Sequence, residues 1–108
     1  MSGMTLTKRN GIKIAREFKL AVSGAGLPVI GVYLFGSLAK GKVHRWSDVD
    51  IAVVYRPFGA DRLSESRIIR KRRNRFDVPM DIVCLRAEDM KNDWLGIARE
   101  VKQNGIAV

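Results

Sequence analysis

The sequence predicts a single small α/β domain in which a mixed β-sheet is flanked by helices. Two kinds of segment indicate this class: short apolar runs rich in β-branched residues, typical of strands, and stretches with apolar residues three and four positions apart, typical of helices. The two kinds alternate along the chain, which favours a layered α/β arrangement. The chain has 108 residues, enough for one domain and too few for two. We therefore predict one domain over residues 1–108.

The first helix and the first strand are predicted from consecutive segments. The helix should lie between Asn10 and Ser23, and Gly24 should end it because glycine tolerates a positive φ. The run VIGVYLF at 29–35 is expected to be a strand buried on both faces, ending at Gly36. The apolar residues of the helix recur at helical spacing: Ile14, Phe18, Ala21 and Val22.

Two further strands are predicted, VDIAVVY at 49–55 and VPMDIVCL at 78–85. Pro79 lacks an N–H group, so we expect it at the start of its strand or on an unpaired edge. The link between the first two strands is too short for a typical parallel crossover, whereas the link from the second strand to the third can hold a helix. The sheet should therefore contain both antiparallel and parallel pairs.

The later helices are predicted from their candidate caps. Ser64 can cap a basic helix that reaches about position 74, and Asp93 can cap a last helix that ends before Gly105. The segment IAV at 106–108 is a candidate for a short final strand. The apolar residues of the last helix keep i, i+3, i+4, i+7 spacing: Trp94, Ile97, Ala98 and Val101.

Composition and charge limit the classes of function. The formal net charge of +9 favours polyanionic partners, such as a nucleotide, a nucleic acid or an acidic protein surface. Cys84 is the only cysteine, which excludes an intramolecular disulfide and a cysteine-rich metal site. The simplest interpretation of Cys84 is a small buried residue of a strand. Because a single cysteine allows no intramolecular disulfide, we expect a cytoplasmic protein.

Two stretches could suggest other classes of protein. The segment 20–39 has no charged residue and superficially resembles a membrane span. Its glycines and Pro28 would interrupt a spanning helix, so we expect no membrane association. The basic run RIIRKRRNR at 67–75 favours a solvated face or a docking surface for a partner. Neither recognition aromatics nor a helix-turn-helix pattern accompanies it, so specific nucleic-acid binding is not supported.

Two aspartates carry the clearest chemical signal. Asp48 and Asp50 are two residues apart in a strand pattern, so both carboxylates should project from one side. Such a pair is costly unless a cation neutralises it, and Mg²⁺ with oxygen ligands, or Mn²⁺ in its place, is the natural choice beside phosphates. Asp81 would complete the set if the third strand lies beside them, and Asp77 is the alternative if the register differs. Three carboxylates can hold two metal ions for an in-line phosphoryl displacement.

The Gly-Ser pair at Gly36 and Ser37 would on its own indicate only a turn after a strand. Beside the aspartate pair it indicates a phosphate site, because a missing Cβ lets phosphate oxygens approach the backbone N–H groups and the hydroxyl adds a donor. A short helical turn after it would add its positive end. In the following loop, Trp46 is expected to pack over the nucleotide pocket, and His44 is a candidate for either lining or packing.

These residues resemble the signature of the DNA polymerase β-like nucleotidyltransferase superfamily, with GS at 36–37, ten residues, and DVD at 48–50. The segment FGSLAKGKVHRWSDVDIAVV is similar to the minimal nucleotidyltransferases of bacteria and archaea, which usually have G-S-x-A-R-G followed by S-D-I-D-L. This chain has Lys40 where that family usually has Arg. Lysine keeps the charge but loses the planar two-pronged geometry of the guanidinium.

The resemblance implies a fold like the polymerase β palm and the transfer of a nucleoside monophosphate, with AMP from ATP favoured, to a hydroxyl acceptor. It implies that Asp48, Asp50 and Asp81 bind two Mg²⁺ or Mn²⁺ ions and that Asp81 helps to deprotonate the hydroxyl. The Gly-Ser pair would hold the β- and γ-phosphates, with Lys40 as a secondary contact. Positioning and charge neutralisation supply most of the catalysis in such reactions.

The resemblance also implies a protein partner, since minimal nucleotidyltransferases pair with HEPN-domain proteins as toxin–antitoxin systems and can attach AMP to the toxin. The alternative hypothesis is an antitoxin or nucleotide sensor that binds a nucleotide and a partner without turnover. The sequence leaves open the acceptor, the preferred base, activity of the chain alone and assembly as a homo-oligomer.

Overall fold

The computed structural model describes residues 6–41, 48–92 and 94–108 and has the predicted mixed α/β architecture. Two 3₁₀ helices, at 71–75 and 87–91, follow the third α-helix and the third strand. The α-helices and strands, in chain order, are α1 (Lys8–Gly24), β1 (Val29–Phe35), α2 (Gly36–Ala39), β2 (Val49–Tyr55), α3 (Arg62–Arg70), β3 (Met80–Arg86), α4 (Gly96–Asn104) and β4 (Ile106–Ala107).

The four strands form one sheet in the order β3-β2-β1-β4. β1 pairs with β2 in antiparallel orientation, and β2 pairs with β3 in parallel, with α3 in the connection. β4 adds two residues antiparallel to β1, as predicted for the last segment. β3 is thus an edge strand, and Pro79 lies directly before it, in agreement with its missing N–H group.

Helices cover both faces of the sheet. The larger core lies between the sheet and the helices α1 and α3, where the odd-numbered residues of β2 meet Phe18 and Ile69. The smaller core lies on the other face, where Ala52 and Phe35 pack against Val101 of α4. Side chains alternate between the two faces along a strand, so Asp50, two residues before Ala52, lies on the face that α4 covers.

The first helix is longer than predicted at both ends. Thr7 caps it, with its hydroxyl accepting a hydrogen bond from the N–H of Asn10 at 3.1 Å. The prediction that Gly24 ends the helix with a positive φ is wrong: Gly24 is the last helical residue, and the positive φ of 79° belongs to Gly26. The turn needs left-handed backbone two residues after the helix, where a glycine is also available.

The first strand has its predicted bounds, but it is not buried on both faces along its whole length. The pairing with β2 shifts between Val29 and Gly31, so Ile30 is the extra residue of a bulge and is 51% exposed. Val32 and Leu34, nearer the end of the strand, are buried. The buried half is therefore the half that leads to Gly36.

The caps of the later helices also differ from the predictions. Asp61, rather than Ser64, caps α3, because its carboxylate accepts a hydrogen bond from the N–H of Ser64 at 2.8 Å. The α-helix ends at Arg70 and continues to position 75 only as a 3₁₀ helix. Trp94 precedes α4 and is 95% exposed, so it is not part of that helix.

Three residues of interest from the sequence are outside the described part of the chain. They are His44 and Trp46, the candidates for the nucleotide pocket, and Asp93, the candidate cap of the last helix. Among the helices within residues 6–41, 48–92 and 94–108, none combines the length and the hydropathy needed to cross a membrane.

A buried ionic network closes the sheet at the end where β2 and β3 finish. Glu65 of α3 is fully buried, and its carboxylate accepts hydrogen bonds from the hydroxyl of Tyr55 at 2.9 Å and from Nε of Arg86 at 2.8 Å. The backbone N–H groups of Phe58 and Gly59 donate to its other oxygen at 2.7 and 3.0 Å. The network fixes the loop after β2 against α3.

Candidate functional site

The ends of three sheet segments meet where β1 finishes and where β2 and β3 begin. Phe35, the last residue of β1, pairs with Asp50 of β2. Asp50 in turn pairs with Asp81 of β3 in the parallel register. Neighbouring residues in register project their side chains to the same face, so the two carboxylates lie side by side. Asp48 directly precedes β2 on the same approach.

The electrostatics of Asp50 report this crowding of acidic groups. Burial raises the pKa of its carboxyl, and the negative charges of Asp81 and Asp48 raise it further, to about 6. Asp50 is half-buried, whereas Asp48 and Asp81 are exposed. A cation bound near Asp50 would stabilise the ionised form of its carboxyl.

Gly36 is required at its position for two separate reasons. It opens the helical turn α2 with a φ of 73°, a conformation that side-chain-bearing residues rarely adopt. A Cβ atom built on it would lie 2.2 Å from Oδ2 of Asp50. The absence of a side chain at 36 thus leaves the space that the Asp50 carboxylate occupies.

The turn α2 holds the Gly-Ser pair next to the carboxylates. Leu38 and Ala39 are buried and anchor the turn in the core, while Ser37 is half-exposed. The hydroxyl of Ser37 forms no hydrogen bond within the described part of the chain, so it can donate to a bound group. The first N–H groups of such a turn have no partner in the turn itself.

Lys40 follows α2 and has a partner that the sequence analysis did not find. Its Nζ atom lies 3.5 Å from Oε2 of Glu100 on α4, and the side-chain amide of Asn104 donates to the same oxygen at 3.1 Å. The lysine side chain is 43% exposed and that of Glu100 32% exposed. An exposed pair of this kind is worth little, so Lys40 can exchange it for another anion. No local pattern relates the two residues, because they are far apart in the sequence.

The register separates the two candidates for the third carboxylate. Asp81 pairs with Asp50, whereas Asp77 is exposed in the bend that precedes β3. Although Asp81 lies within an apolar run of the sequence, it is on an edge strand with its side chain exposed. Cys84, on the same strand, is half-buried rather than buried, and burial raises the pKa of its thiol to about 11.

The carboxylates fit a hard divalent cation in their chemistry. Carboxylate oxygens are donors that Mg²⁺ and Mn²⁺ bind, and burial together with the charges of Asp81 and Asp48 raises the pKa of Asp50, so a bound cation would relieve part of the cost of its ionised form. Across residues 6–41, 48–92 and 94–108, however, no group of three or more His, Cys, Asp or Glu side chains is close enough to hold an ion. The predicted two-metal set therefore remains a prediction.

Comparison with known proteins identifies the family of this chain. The model of the nucleotidyltransferase domain family matches residues 13–108, a segment that includes the Gly-Ser pair and all three aspartates. The chain belongs to the nucleotidyltransferase domain family. The expectation of a nucleotidyltransferase is thereby confirmed. A search of the curated proteins found no match.

Solved structures share the fold of this nucleotidyltransferase domain. A protein assigned as a minimal nucleotidyltransferase matches over the whole of both chains, with 22% identity and a TM-score of 0.61. One assigned as a nucleotidyltransferase from Sulfolobus solfataricus matches with 18% identity and a TM-score of 0.62, over 99% of this chain and 90% of the other. A toxin–antitoxin structure with AMP-PNP matches with 25% identity and a TM-score of 0.55, over 94% of this chain and 72% of the other.

Proposed function

We propose that this nucleotidyltransferase transfers a nucleoside monophosphate, AMP from ATP in the first instance, to a hydroxyl group of a partner protein. The hydroxyl oxygen would bond to the α-phosphorus, the bond between the α-phosphorus and the bridging oxygen to the β-phosphate would break, and pyrophosphate would leave. The observation that carries the proposal is the pairing of Asp50 with Asp81 beside the left-handed Gly36. Membership of the family and the crystallised relative with AMP-PNP support the reaction and the nucleotide.

The proposed roles follow from charge and position. Asp48, Asp50 and Asp81 would hold Mg²⁺ or Mn²⁺, which when bound neutralises the phosphates and lowers the cost of charge on the attacking and leaving oxygens. Asp81, exposed at the edge of the sheet, would accept the proton of the acceptor hydroxyl. The Gly-Ser pair would donate to the β- and γ-phosphates, and Lys40 would leave Glu100 to contact them.

The proposed acceptor is the partner of a toxin–antitoxin pair, of the HEPN class that the sequence resemblance implies. Support comes from a relative crystallised as the toxin–antitoxin MntA-HpeT, with 22% identity and a TM-score of 0.60, over 86% of this chain and 69% of the other. Modification or occupation of the partner would make this chain the antitoxin.

The first test is a transfer assay with the protein encoded by the gene next to the one for this chain, which is where we look for the partner of a toxin–antitoxin pair. The chain would be incubated with ATP, GTP, CTP or UTP labelled at the α-phosphate, with Mg²⁺ or Mn²⁺, and label on protein or RNA would be measured. We expect label from ATP on the neighbour's product, and a loss of at least about a hundredfold with Asp48→Asn. Asp77→Asn is the matched control, and equal activity of the two variants would contradict the proposed roles.

A second candidate function is a nucleotide-binding antitoxin or sensor without turnover. The observation that favours it is the lack, among the described residues, of three acidic side chains close enough to share an ion. In that case ATP would bind with a divalent cation, no label would transfer, and a variant lacking all three aspartate charges would neutralise the partner as well as the wild type does.

A further inference from the structure

The strongest feature outside the site is the outward side of α3 and of the 3₁₀ helix that continues it. Here we define the basic surface as Leu63, Arg67, Ile68, Lys71, Arg73 and Arg75, all of which are exposed. From 66 to 76 the chain has six cationic residues and no acidic one. Within residues 6–41, 48–92 and 94–108, the four cations of this surface form no ion pair. Their charge is available to a partner.

The helix geometry places apolar and cationic side chains in one stripe. Leu63, Arg67 and Lys71 are four residues apart, so they follow one another along the outward face. The inward face is occupied by Glu65 and Ile69, both fully buried. Leu63 is 60% exposed and Ile68 is 41% exposed. The surface therefore offers cations together with apolar side chains, which phosphate groups cannot match.

Arg70 lies next to the basic surface on α3 and connects that helix to the edge strand β3. Nε of Arg70 donates to the carbonyl of Ile82 at 3.0 Å, and Ile82 directly follows Asp81 in β3. The N–H of Val49 donates to the carbonyl of Pro79, so alternate carbonyls of β3 face β2 and that of Ile82 faces outward. A molecule bound along α3 would thus reach the outer edge of β3, the strand that carries Asp81, from the face of the sheet opposite to the one on which the carboxylates lie.

We propose that the basic surface docks the protein acceptor, through a face of that protein that combines acidic and apolar side chains. This inference rests on the proposed function, because it supplies the acceptor for the same site. A protein fits better than single-stranded nucleic acid, since base stacking needs exposed aromatic rings. The one aromatic residue between 62 and 76 is Phe76, which is half-buried and packs against Phe18 at 5.9 Å between ring centroids.

The test uses charge and apolar variants with matched controls elsewhere in the chain. Arg67→Glu with Lys71→Glu changes the basic surface, and Lys13→Glu with Arg16→Glu makes the same change of charge on the exposed side of α1. Leu63→Ser has Leu20→Ser as its control, because Leu20 is 72% exposed on α1. Affinity for the product of the neighbouring gene would be measured by calorimetry, and transfer of AMP would be measured in parallel.

We expect the Arg67 and Lys71 double variant to weaken binding of that product at least about tenfold, Leu63→Ser to weaken it severalfold, and both controls to bind as the wild type does. ATP binding should be unchanged in all four. Loss of binding in these variants, together with no transfer of AMP by the wild type, supports the docking surface and contradicts the proposed reaction. If the basic-surface variants bind the partner or transfer AMP as the wild type does, the docking surface is wrong and the proposed reaction is not affected. The docking surface is also wrong if the wild type does not bind the partner. A different outcome would assign the surface to RNA. In that case a 20-nucleotide RNA would bind the wild type and lose its affinity in the Arg67 and Lys71 double variant, while the partner protein would bind that variant as it binds the wild type.

Discussion

At the scale of single residues, Gly36 and Asp50 form one structural unit. The positive φ of Gly36 turns the chain out of β1, and its missing Cβ leaves room for the carboxylate of Asp50. The same residue type thus satisfies a backbone need and a side-chain need at once. Two other glycines, Gly26 and Gly41, have a similar φ, and a Cβ built on either would contact no residue within the described part of the chain, so they separate the two needs.

We predict that Gly36→Ala destabilises the protein more than Gly26→Ala or Gly41→Ala. Left-handed backbone should cost each variant about 1 kcal/mol, and the collision with Asp50 should add about 1 to 3 kcal/mol at 36 alone. Chemical denaturation would measure the difference, and ATP titration would show lost affinity only for Gly36→Ala. Equal losses for all three variants would mean that the contact with Asp50 carries no energetic weight.

Lys40 is held by Glu100 in a contact that a triphosphate can displace. We predict that Lys40→Met raises the KM for ATP about tenfold, because a charge-assisted contact to phosphate is lost. Glu100→Gln should lower the KM by no more than about twofold, since an exposed ion pair contributes little. Lys40→Arg is the control that retains the charge. A higher KM for Glu100→Gln would indicate that the pair positions Lys40 for binding.

At the scale of elements, the parallel pair of β2 and β3 places opposite electrostatic situations at its two ends. At one end Asp50 faces Asp81, and burial together with the neighbouring like charges raises the pKa of Asp50. At the other end Tyr55 pairs with Arg86. Burial alone would raise the pKa of Glu65 there, but the hydrogen bonds from Arg86 and from the backbone N–H groups outweigh it and lower this pKa to about 2. The end with Glu65 and Arg86 stabilises the fold, and the end with Asp50 and Asp81 is the one that we propose for ligand binding.

We predict that Tyr55→Phe lowers the free energy of unfolding by about 1 to 2 kcal/mol, because Glu65 loses one donor while buried. Glu65→Leu should cost more, since Arg86 and two backbone N–H groups would lose their acceptor. Tyr33→Phe is the control, because Tyr33 is half-buried and its hydroxyl has no hydrogen bond in the described part of the chain. Urea unfolding would give the order, and a Tyr55→Phe loss no larger than that of Tyr33→Phe would contradict the role of the network.

At the scale of the whole molecule, the sequence predicted what depends on local pattern. The bounds of β1 and β2, the mixed sheet and the short last strand follow from apolar runs and from the lengths of the links. The predicted cap of α3 was wrong because Asp61 and Ser64 are both residue types that cap helices, and the path of the backbone decides which of them is the N-cap. Alternation along a strand put Asp48 and Asp50 on one side, but it left Asp81 and Asp77 both open, and only the register of β2 with β3 pairs Asp81 with Asp50. The contact of Lys40 with Glu100 depends on how α4 packs and has no local signal.

The pH dependence of stability combines the two ends of the sheet. The folded pKa of Glu65 is below its ordinary value of 4.5, so its contribution is present above that value and is lost as the pH falls towards 2. The folded pKa of Asp50 is above its ordinary value of 3.8, so the protein loses stability as the pH rises from there to about 6. Together these two groups predict the greatest stability at about pH 4 to 5 in the absence of divalent cations.

Asp50→Asn should therefore remove the loss on the alkaline side. We expect it to raise the free energy of unfolding at pH 7.5 in EDTA by about 1 to 2 kcal/mol, a figure already reduced for the screening of a half-exposed carboxylate by water. At pH 3.5, where the wild-type carboxyl is protonated in the folded state, the gain should vanish. Thermal unfolding of the wild type, Asp50→Asn and the exposed control Asp77→Asn would measure both values. If Mg²⁺ binds at Asp50, it should raise the wild-type melting temperature at pH 7.5 and leave that of Asp50→Asn nearly unchanged. A variant less stable than the wild type at pH 7.5 in EDTA would show that Asp50 supports the fold rather than straining it.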